Sequence, residues 1–400
     1  MLALLTNHVN EWRIEFLNNF IQKSIADFGD VPDLDNLAEL RAKIENVFYQ
    51  RNSPEYSQGE DNVTKRILNK LVEGHNLTKT EMGQFMSAIM EGRATPAQIG
   101  AFLVAMRIKG ETVDEITEAA KVMQAKAHEL QIETNVPLVD TCGTGGDAQN
   151  TFNVSTITAF VIAGAGLKVA KHGNRSVSSQ CGSADVLEAL GLNLDSPPEV
   201  VKKSIEEVGI GFLFAPKFHP AMKYAIGPRR ELGLRTIFNI LGPLTNPTNI
   251  THQIMGVYDP KWLYPLAEVM RNLGRKGAMV VYGEGGYDEI TITGKTYVAE
   301  LKNGDIKQYQ LSPEIVGLKE GKEEDIKGKD KTYNVRVLLD ILSGKETGSK
   351  RDMVLINAAA VFKITGWAPD WIKGAEMALE SIETGKAREK LHQMLKIMGR

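Results

Sequence analysis

The spacing of apolar positions changes near residue 135, and that change divides the chain. Before it, apolar residues recur every three or four positions, the spacing that lines one face of a helix. Trp12, Phe16, Phe20, Ile21, Ile25 and Phe28 share one such face; Leu34, Leu37, Leu40, Ile44, Val47 and Phe48 share another. Gly29 to Pro32 breaks between them, and Ser53 to Gly59 reads as a linker. Over 62–130 the pattern predicts a small all-helical unit with repeated start and stop signals. Thr78 with Glu81 forms a capping box before Met82, Phe85, Met86 and Ile89, and Gly92 ends that helix. Thr95-Pro96 opens the next and Gly110 closes it; Thr112 with Glu115 starts a third, running towards Leu130. Methionine is frequent in this stretch and reads as core filling rather than as a binding feature.

From 135 onward short apolar runs alternate with helical stretches. Strands are predicted at 136–139, 167–171, 211–214, 253–258 and 278–282. Helices are predicted at 155–165, 183–190, 197–208, 219–232 and 261–274. That alternation implies an α/β domain with a mostly parallel central sheet. Residues 288–311 read instead as antiparallel hairpins with turns at Gly294 and Asn303-Gly304, and helices return at 353–364 and 373–396. The expected organisation is a helical extension (1–61), a helical domain (62–134, joined by part of 219–250) and an α/β domain (135–400).

Composition adds exclusions. With 42% apolar and 24% charged residues, this is a folded globular chain. No apolar run approaches the ~18 residues of a membrane span, and the N-terminus lacks the basic start of a signal peptide. Only Cys142 and Cys181 occur. That points to a reducing cytoplasm and away from a disulfide scaffold or a cysteine zinc site. A net charge of −3 gives no general case for nucleic acid. Residues 1–61 alone carry a net of −6, an acidic appendage on a nearly neutral body.

The chemistry concentrates at the ends of the predicted strands. After Val136 to Val139 come three glycines within four positions, Gly143, Gly145 and Gly146, between Asp140 and Asp147. An Asn153-Val154-Ser155-Thr156 cluster then opens an apolar helix. Strand, glycine turn and helix start together point backbone N–H groups at a phosphate. Neither the dinucleotide glycine spacing nor the Lys-Ser/Thr of a P-loop is present, so a phosphorylated sugar with a divalent metal fits better. After the strand 167–171 comes Lys171-His172-Gly173-Asn174-Arg175-Ser176-Val177-Ser178-Ser179. Open α/β sheets place ligands at this end of a strand, and two cations with hydroxyls and amides suit phosphate. Asp288-Glu289 follows the strand 278–282; paired carboxylates there suit Mg²⁺. Arg229 offers a fork for a carboxylate, and Gly242-Pro243 and Asn246-Pro247 read as breaks.

In this order, the motifs closely resemble the anthranilate phosphoribosyltransferase family. The resemblance covers about 62–400. It rests on Asp140 to Asp147, Asn153 to Thr156, Lys171 to Arg175, Gly182 to Gly191, Arg235 to Pro247 and the Asp288-Glu289 pair. It implies a helical domain joined to a larger α/β domain, and a homodimer formed through the helical domains. It further implies a phosphoribosyl pyrophosphate site made of Gly143, Gly146, Asp147, Thr151, Asn153, Val154, Ser155, Thr156, the loop Lys171 to Ser179, and Ser183. Ser155, Asp288 and Glu289 would ligate Mg²⁺, two ions per subunit. Gly143, His172, Asn174 and Arg229 would bind anthranilate. Many relatives carry Lys or Arg where this chain has Gln180, which touches only a peripheral contact.

The resemblance implies no covalent nucleophile, and the sequence offers no catalytic triad. Two rivals are weaker. A pyrimidine nucleoside phosphorylase would carry a loop like Lys-His-Ser-Thr-Gly-Gly, where this chain has Asn174-Arg175. A non-catalytic nucleic-acid-binding relative would have a basic groove and eroded metal residues. Segment 1–61 matches no recognised family. It is expected either to pack as a helical addition or to serve oligomerisation, regulation or partner docking, with anthranilate synthase as one partner.

Overall fold

The computed structural model describes residues 54–146, 149–176 and 181–400, with side chains from residue 62 onward. The two helices expected before residue 54 therefore lie outside the described residues. Residues 66–400 form one unit.

Local signals place the first helices. Helices Lys79–Met90, Pro96–Lys109 and Val113–Ala125 begin at the N-caps Thr78, Thr95 and Thr112. At the first, the Glu81 N–H donates to Thr78 Oγ1 at 3.2 Å and the Thr78 N–H donates to Glu81 Oε2 at 2.9 Å. Both orphan donors are thereby satisfied. Phe85 and Phe102 stack at 4.3 Å between ring centroids in the core of this unit. Helix Lys223–Leu232 returns from the α/β region to pack against Pro96–Lys109. The expected linker at 53–59 is instead the start of helix Pro54–Val72. Pro54 has the φ of a first helical turn and loses no needed hydrogen bond there, so it starts a helix as readily as it breaks one.

Seven strands form one sheet in the order β3-β2-β1-β4-β5-β6-β7. They are β1 Leu138–Asp140, β2 Lys168–Gly173, β3 Ile210–Phe214, β4 His252–Gly256, β5 Gly277–Gly283, β6 Thr296–Lys302 and β7 Asp305–Leu311. Pairing is parallel from β3 through β5. It turns antiparallel for β6 and β7, which extend the same sheet rather than folding away from it. The sheet core is continuous with the buried helices Val154–Gly164 and Ser349–Thr365. Among the described residues, no helix is long and apolar enough to cross a membrane.

The structure departs from the sequence expectation at three further places. Residues 288–295 form no strand, although Asn303-Gly304 does turn β6 into β7, with both residues at positive φ. The backbone of Ile290 is occupied by a side chain: its N–H donates to Asn357 Oδ1 at 3.1 Å and its carbonyl accepts from Asn357 Nδ2 at 2.8 Å. Pro243 does not break the chain, since it lies inside helix Ile237–Leu244. It falls in the last turn, and the Gln253 amide donates to its carbonyl at 2.7 Å. Helix Lys331–Leu342, which the sequence reading missed, buries Asn334, Val337, Leu338, Ile341 and Leu342 along one face.

Candidate functional site

Chain order along the sheet reverses at β1, whose neighbours are β2 and β4. The crevice beyond the carboxyl ends of such strands is where open α/β sheets bind ligands. The glycine turn leaves β1 at this point. Thr144 holds it to the end of β4: its N–H donates to the Gly256 carbonyl at 2.9 Å and its hydroxyl donates to the same oxygen at 3.2 Å. Gly145 and Gly146 follow with φ of 64° and 74°, the left-handed region that favours glycine. The Arg235 guanidinium donates to the Gly146 carbonyl.

Close packing brings the acidic pair to this turn. A Cβ built on Gly256 would lie 1.5 Å from the Asp288 carbonyl oxygen, and one on Gly143 would lie 3.2 Å from the Gly256 carbonyl oxygen. Side chains larger than hydrogen at Gly256 would push Asp288 away. Asp288 and Glu289 are half-buried. With neighbouring Asp140, they add to the burial that drives the Cys142 thiol far above its usual range. That thiol is therefore not primed as a nucleophile.

Segment 149–153 is bridged from the other side. Thr151 pairs with Lys327, the Lys327 ammonium donates to the Gln149 carbonyl at 3.0 Å, and the Gln149 amide donates to the Gly285 carbonyl at 2.7 Å. Asn153 begins helix Val154–Gly164; its Nδ2 donates to the Cys181 carbonyl at 3.1 Å, while its buried Oδ1 has no partner among the described residues. Ser155 lies in the first turn and Thr156 is buried beside it. The buried Lys171 ammonium reaches Ser155 Oγ at 3.3 Å and Thr141 Oγ1 at 3.2 Å. Lys171 thus bridges the ends of β1 and β2 and the helix start with one positive charge.

Asp140, used in the sequence reading only as a flank of the turn, is the anchor of this arrangement. It is fully buried and accepts from the Cys142 N–H at 3.1 Å, the His172 N–H at 3.2 Å and Asn246 Nδ2 at 2.8 Å. Asn246 also donates to the Ala170 carbonyl at 2.8 Å. Burial raises the Asp140 pKa to about 6, against the opposing pull of Lys171 and of these hydrogen bonds. Asp140, Cys142 and His172 present ligand atoms within 4.8 Å of one another. Three donors with the carboxylate already engaged on both oxygens make a structural knot rather than a site for Mg²⁺, which prefers oxygen ligands.

His172 and His219 face each other at 5.2 Å between ring centroids, both buried. Burial first, then His219 and Lys171, lowers the His172 pKa to about 3 despite an opposing pull from the Gly242 backbone. Burial likewise lowers that of His219 to about 4. Both rings are therefore neutral at pH 7. Among the described residues, His172 Nδ1 and Nε2 and His219 Nε2 make no well-formed hydrogen bond, although the Gly242 and Thr245 backbones lie near the two rings. Arg229, over the Phe238 ring at 5.2 Å, has its pKa lowered by burial and pairs with no carboxylate among the described residues.

The loop after β2 is less uniform than its sequence suggests. Gly173 lies against Ser183 and Phe212, where a Cβ would sit 2.4 Å from Ser183 Oγ. The Asn174 carbonyl accepts from the Ser183 hydroxyl at 3.3 Å, and Ser176 N–H donates to Asp185 at 3.1 Å. The Arg175 guanidinium is held by Asp185 at 3.1 Å and Glu188 at 2.7 Å. The expected contacts of Asp147, Val177, Ser178 and Ser179, with neighbouring Gln180, lie outside the described residues. Sequence reading missed Asp140, Asn246, Asn357 and Arg235 as site-building residues. Asp140, Asn246 and Arg235 fall inside recognised motifs; Asn357, on a buried helix, carried no local signal.

Two family models match: the α/β domain of a glycosyl transferase family over residues 135–388, and the helical bundle domain of the same family over 65–127. The chain is 52% identical over 328 residues to the anthranilate phosphoribosyltransferase of Petrotoga mobilis, covering 82% of this chain and 95% of that one. It is also 52% identical over 334 residues to that of Alkaliphilus metalliredigens, covering 83% and 98%. A crystal structure of the Thermus thermophilus anthranilate phosphoribosyltransferase superposes with a TM-score of 0.79 at 41% identity, covering 83% of this chain and 99% of that one. The Saccharomyces cerevisiae enzyme, in complex with phosphoribosyl pyrophosphate and Mg, superposes at 0.78 with 29% identity, covering 84% and 97%. With its helical bundle, its mostly parallel sheet and this degree of identity, the chain belongs to the anthranilate phosphoribosyltransferase family.

Proposed function

We propose that this chain transfers the phosphoribosyl group of 5-phosphoribosyl 1-pyrophosphate to the amine of anthranilate, giving N-(5-phosphoribosyl)anthranilate and pyrophosphate, a step of tryptophan biosynthesis. The observation that carries the reading is that the segment leaving β1 at the switch point of the sheet meets the Asp288-Glu289 segment through Gly256 and meets Lys171, with Ser155, through Thr141.

The reaction joins the amine nitrogen to C1 of the ribose, breaks the bond from C1 to the pyrophosphate oxygen, and releases one proton. In this reading, Gly143, Gly146, Asp147, Thr151 and Asn153 to Thr156 hold the donor, together with Lys171 to Ser179 and Ser183. Backbone N–H groups and the Lys171 charge would receive the anion, whose negative charge grows on the departing pyrophosphate. Ser155, Asp288 and Glu289 supply only oxygen donors beside that turn, a set that fits Mg²⁺. When bound, two such ions would neutralise pyrophosphate and act as Lewis acid and template. Arg229 would take the anthranilate carboxylate, since its half-buried charge lacks a carboxylate partner among the described residues. Gly143, Asn174 and neutral His172 would border the aromatic ring. Catalysis is then positioning and charge stabilisation, with no covalent intermediate.

The division into a helical domain (62–134 with part of 219–250) and an α/β domain (135–400) belongs to the same proposal. The packing of helix Lys223–Leu232 on helix Pro96–Lys109 supports it. So does a homodimer through the helical domains, supported by Val72 and Ile108, which are 75% and 81% exposed there. Following anthranilate fluorescence with phosphoribosyl pyrophosphate and Mg²⁺ tests the activity. No consumption by the full chain would refute it.

A further inference from the structure

Two arginines of the recognised motifs differ in environment: Arg175 lies in the loop after β2, and Arg235 lies at the glycine turn. Arg175 is engaged by Asp185 and Glu188, so most of its charge is already answered. Arg235 pairs with no carboxylate among the described residues. Its guanidinium lies 4.2 Å from the centroid of the half-buried Tyr258 ring and donates to the Gly146 carbonyl. That ring is a fixed platform: the Tyr258 hydroxyl accepts from Nε1 of the buried Trp262 at 3.3 Å. Stacking on an aromatic face holds a guanidinium without neutralising it.

The turn is consequently clamped at both ends to the exit of β4. Thr144 binds Gly256, and Gly146 binds Arg235, which rests on Tyr258 two residues further along. Between the clamps Gly145 is left-handed with open space where a Cβ would be. A peptide unit is planar, so fixing the Gly146 carbonyl fixes that plane of the turn. Arg235 directly precedes Thr236, the N-cap of helix Ile237–Leu244, and so ties this helix to the turn.

We propose that Arg235 is a positioning residue for the pyrophosphate end of the donor: it sets the glycine turn and places an unneutralised guanidinium beside it. This rests on the phosphoribosyl transfer reading and adds a residue to it. Arg175 contributes less, because a guanidinium already bonded to two carboxylates has little left to give a third anion.

The test uses the full chain with Arg235→Gln, Arg235→Lys and Arg175→Gln. Binding of magnesium pyrophosphate is measured by calorimetry, and KM is measured for each substrate. Losing a charge-assisted hydrogen bond predicts about tenfold weaker pyrophosphate binding in Arg235→Gln. The donor KM should rise in step, while the anthranilate KM stays within about twofold. Arg235→Lys falls between, keeping the charge without the planar fork; Arg175→Gln shifts less than Arg235→Gln. Unchanged pyrophosphate affinity in Arg235→Gln, or equal losses for both substrates, overturns the proposal. If wild type binds pyrophosphate through Arg235 yet consumes no anthranilate, the transferase reading fails while the role of Arg235 stands.

Discussion

Gly256 and Asp288 are in contact through their backbones: a Cβ on the glycine would lie 1.5 Å from the carbonyl oxygen of the aspartate. That contact sets the distance between the acidic pair and the glycine turn. Gly256→Ala must displace one of them. We expect a loss of about 2–4 kcal/mol of stability from backbone overpacking and a higher Mg²⁺ concentration for half-maximal residual turnover. Gly145→Ala is the comparison, because only its left-handed φ is strained and nothing lies within 4 Å of its Cβ. It should cost roughly 1 kcal/mol. Equal effects in denaturant titrations would contradict the packing argument.

Arg229→Ala removes a half-buried guanidinium with no carboxylate partner among the described residues. The variant should raise the anthranilate KM by about tenfold or more, with the donor KM little changed, since charged hydrogen bonds contribute ~1.5–3 kcal/mol. Equal rises for both substrates in steady-state kinetics would remove the assigned role.

Asp288→Asn combined with Glu289→Gln keeps the shape of the acidic segment and removes its charge. Mg²⁺-dependent turnover should fall by at least about a hundredfold, because the ion's carboxylate ligands are gone. Turnover at the wild-type rate over a magnesium titration would show that the ion binds elsewhere.

Three buried histidines predict a pH dependence of stability. His172, His219 and His252 have folded pKa values lowered to about 3, 4 and 4 by burial. In the unfolded chain they titrate near 6.5. Between those values the unfolded state binds more protons, so stability falls as pH drops from about 6.5 towards 4. Asp140, raised to about 6, has the opposite sign and gains stability over pH 6 to 4. Each histidine loses about 2.5 kcal/mol by pH 4.5 and Asp140 returns about 2, so the net loss should be on the order of 5 kcal/mol. Urea midpoints at pH 7 and 4.5 measure it; an equal or higher midpoint at pH 4.5 would contradict the assignment.

Much of the fold was legible because its signals are local. A threonine three residues before Glu81, Gln98 or Glu115 satisfies helix N–H groups within one turn, so the helix starts could be read directly. The alternation after residue 135 marked the parallel strands for the same reason. Proline and glycine were less reliable. Pro54 and Pro243 both looked like breaks and both lie in helices, because the cost of a proline depends on which turn it occupies.

By itself, the sequence determined the helix caps, the strand and helix alternation, the glycine turn and the residue types that gather at the strand ends. These follow from backbone chemistry over a few residues. Only the tertiary structure decided which of those residues meet. Asp140 finds Asn246 across 106 positions, Ile290 finds Asn357 across 67, and Arg175 turns to Asp185 and Glu188 while Arg235 takes the glycine turn. Such pairings depend on strand order and close backbone approach, and neither leaves a periodic trace in the chain.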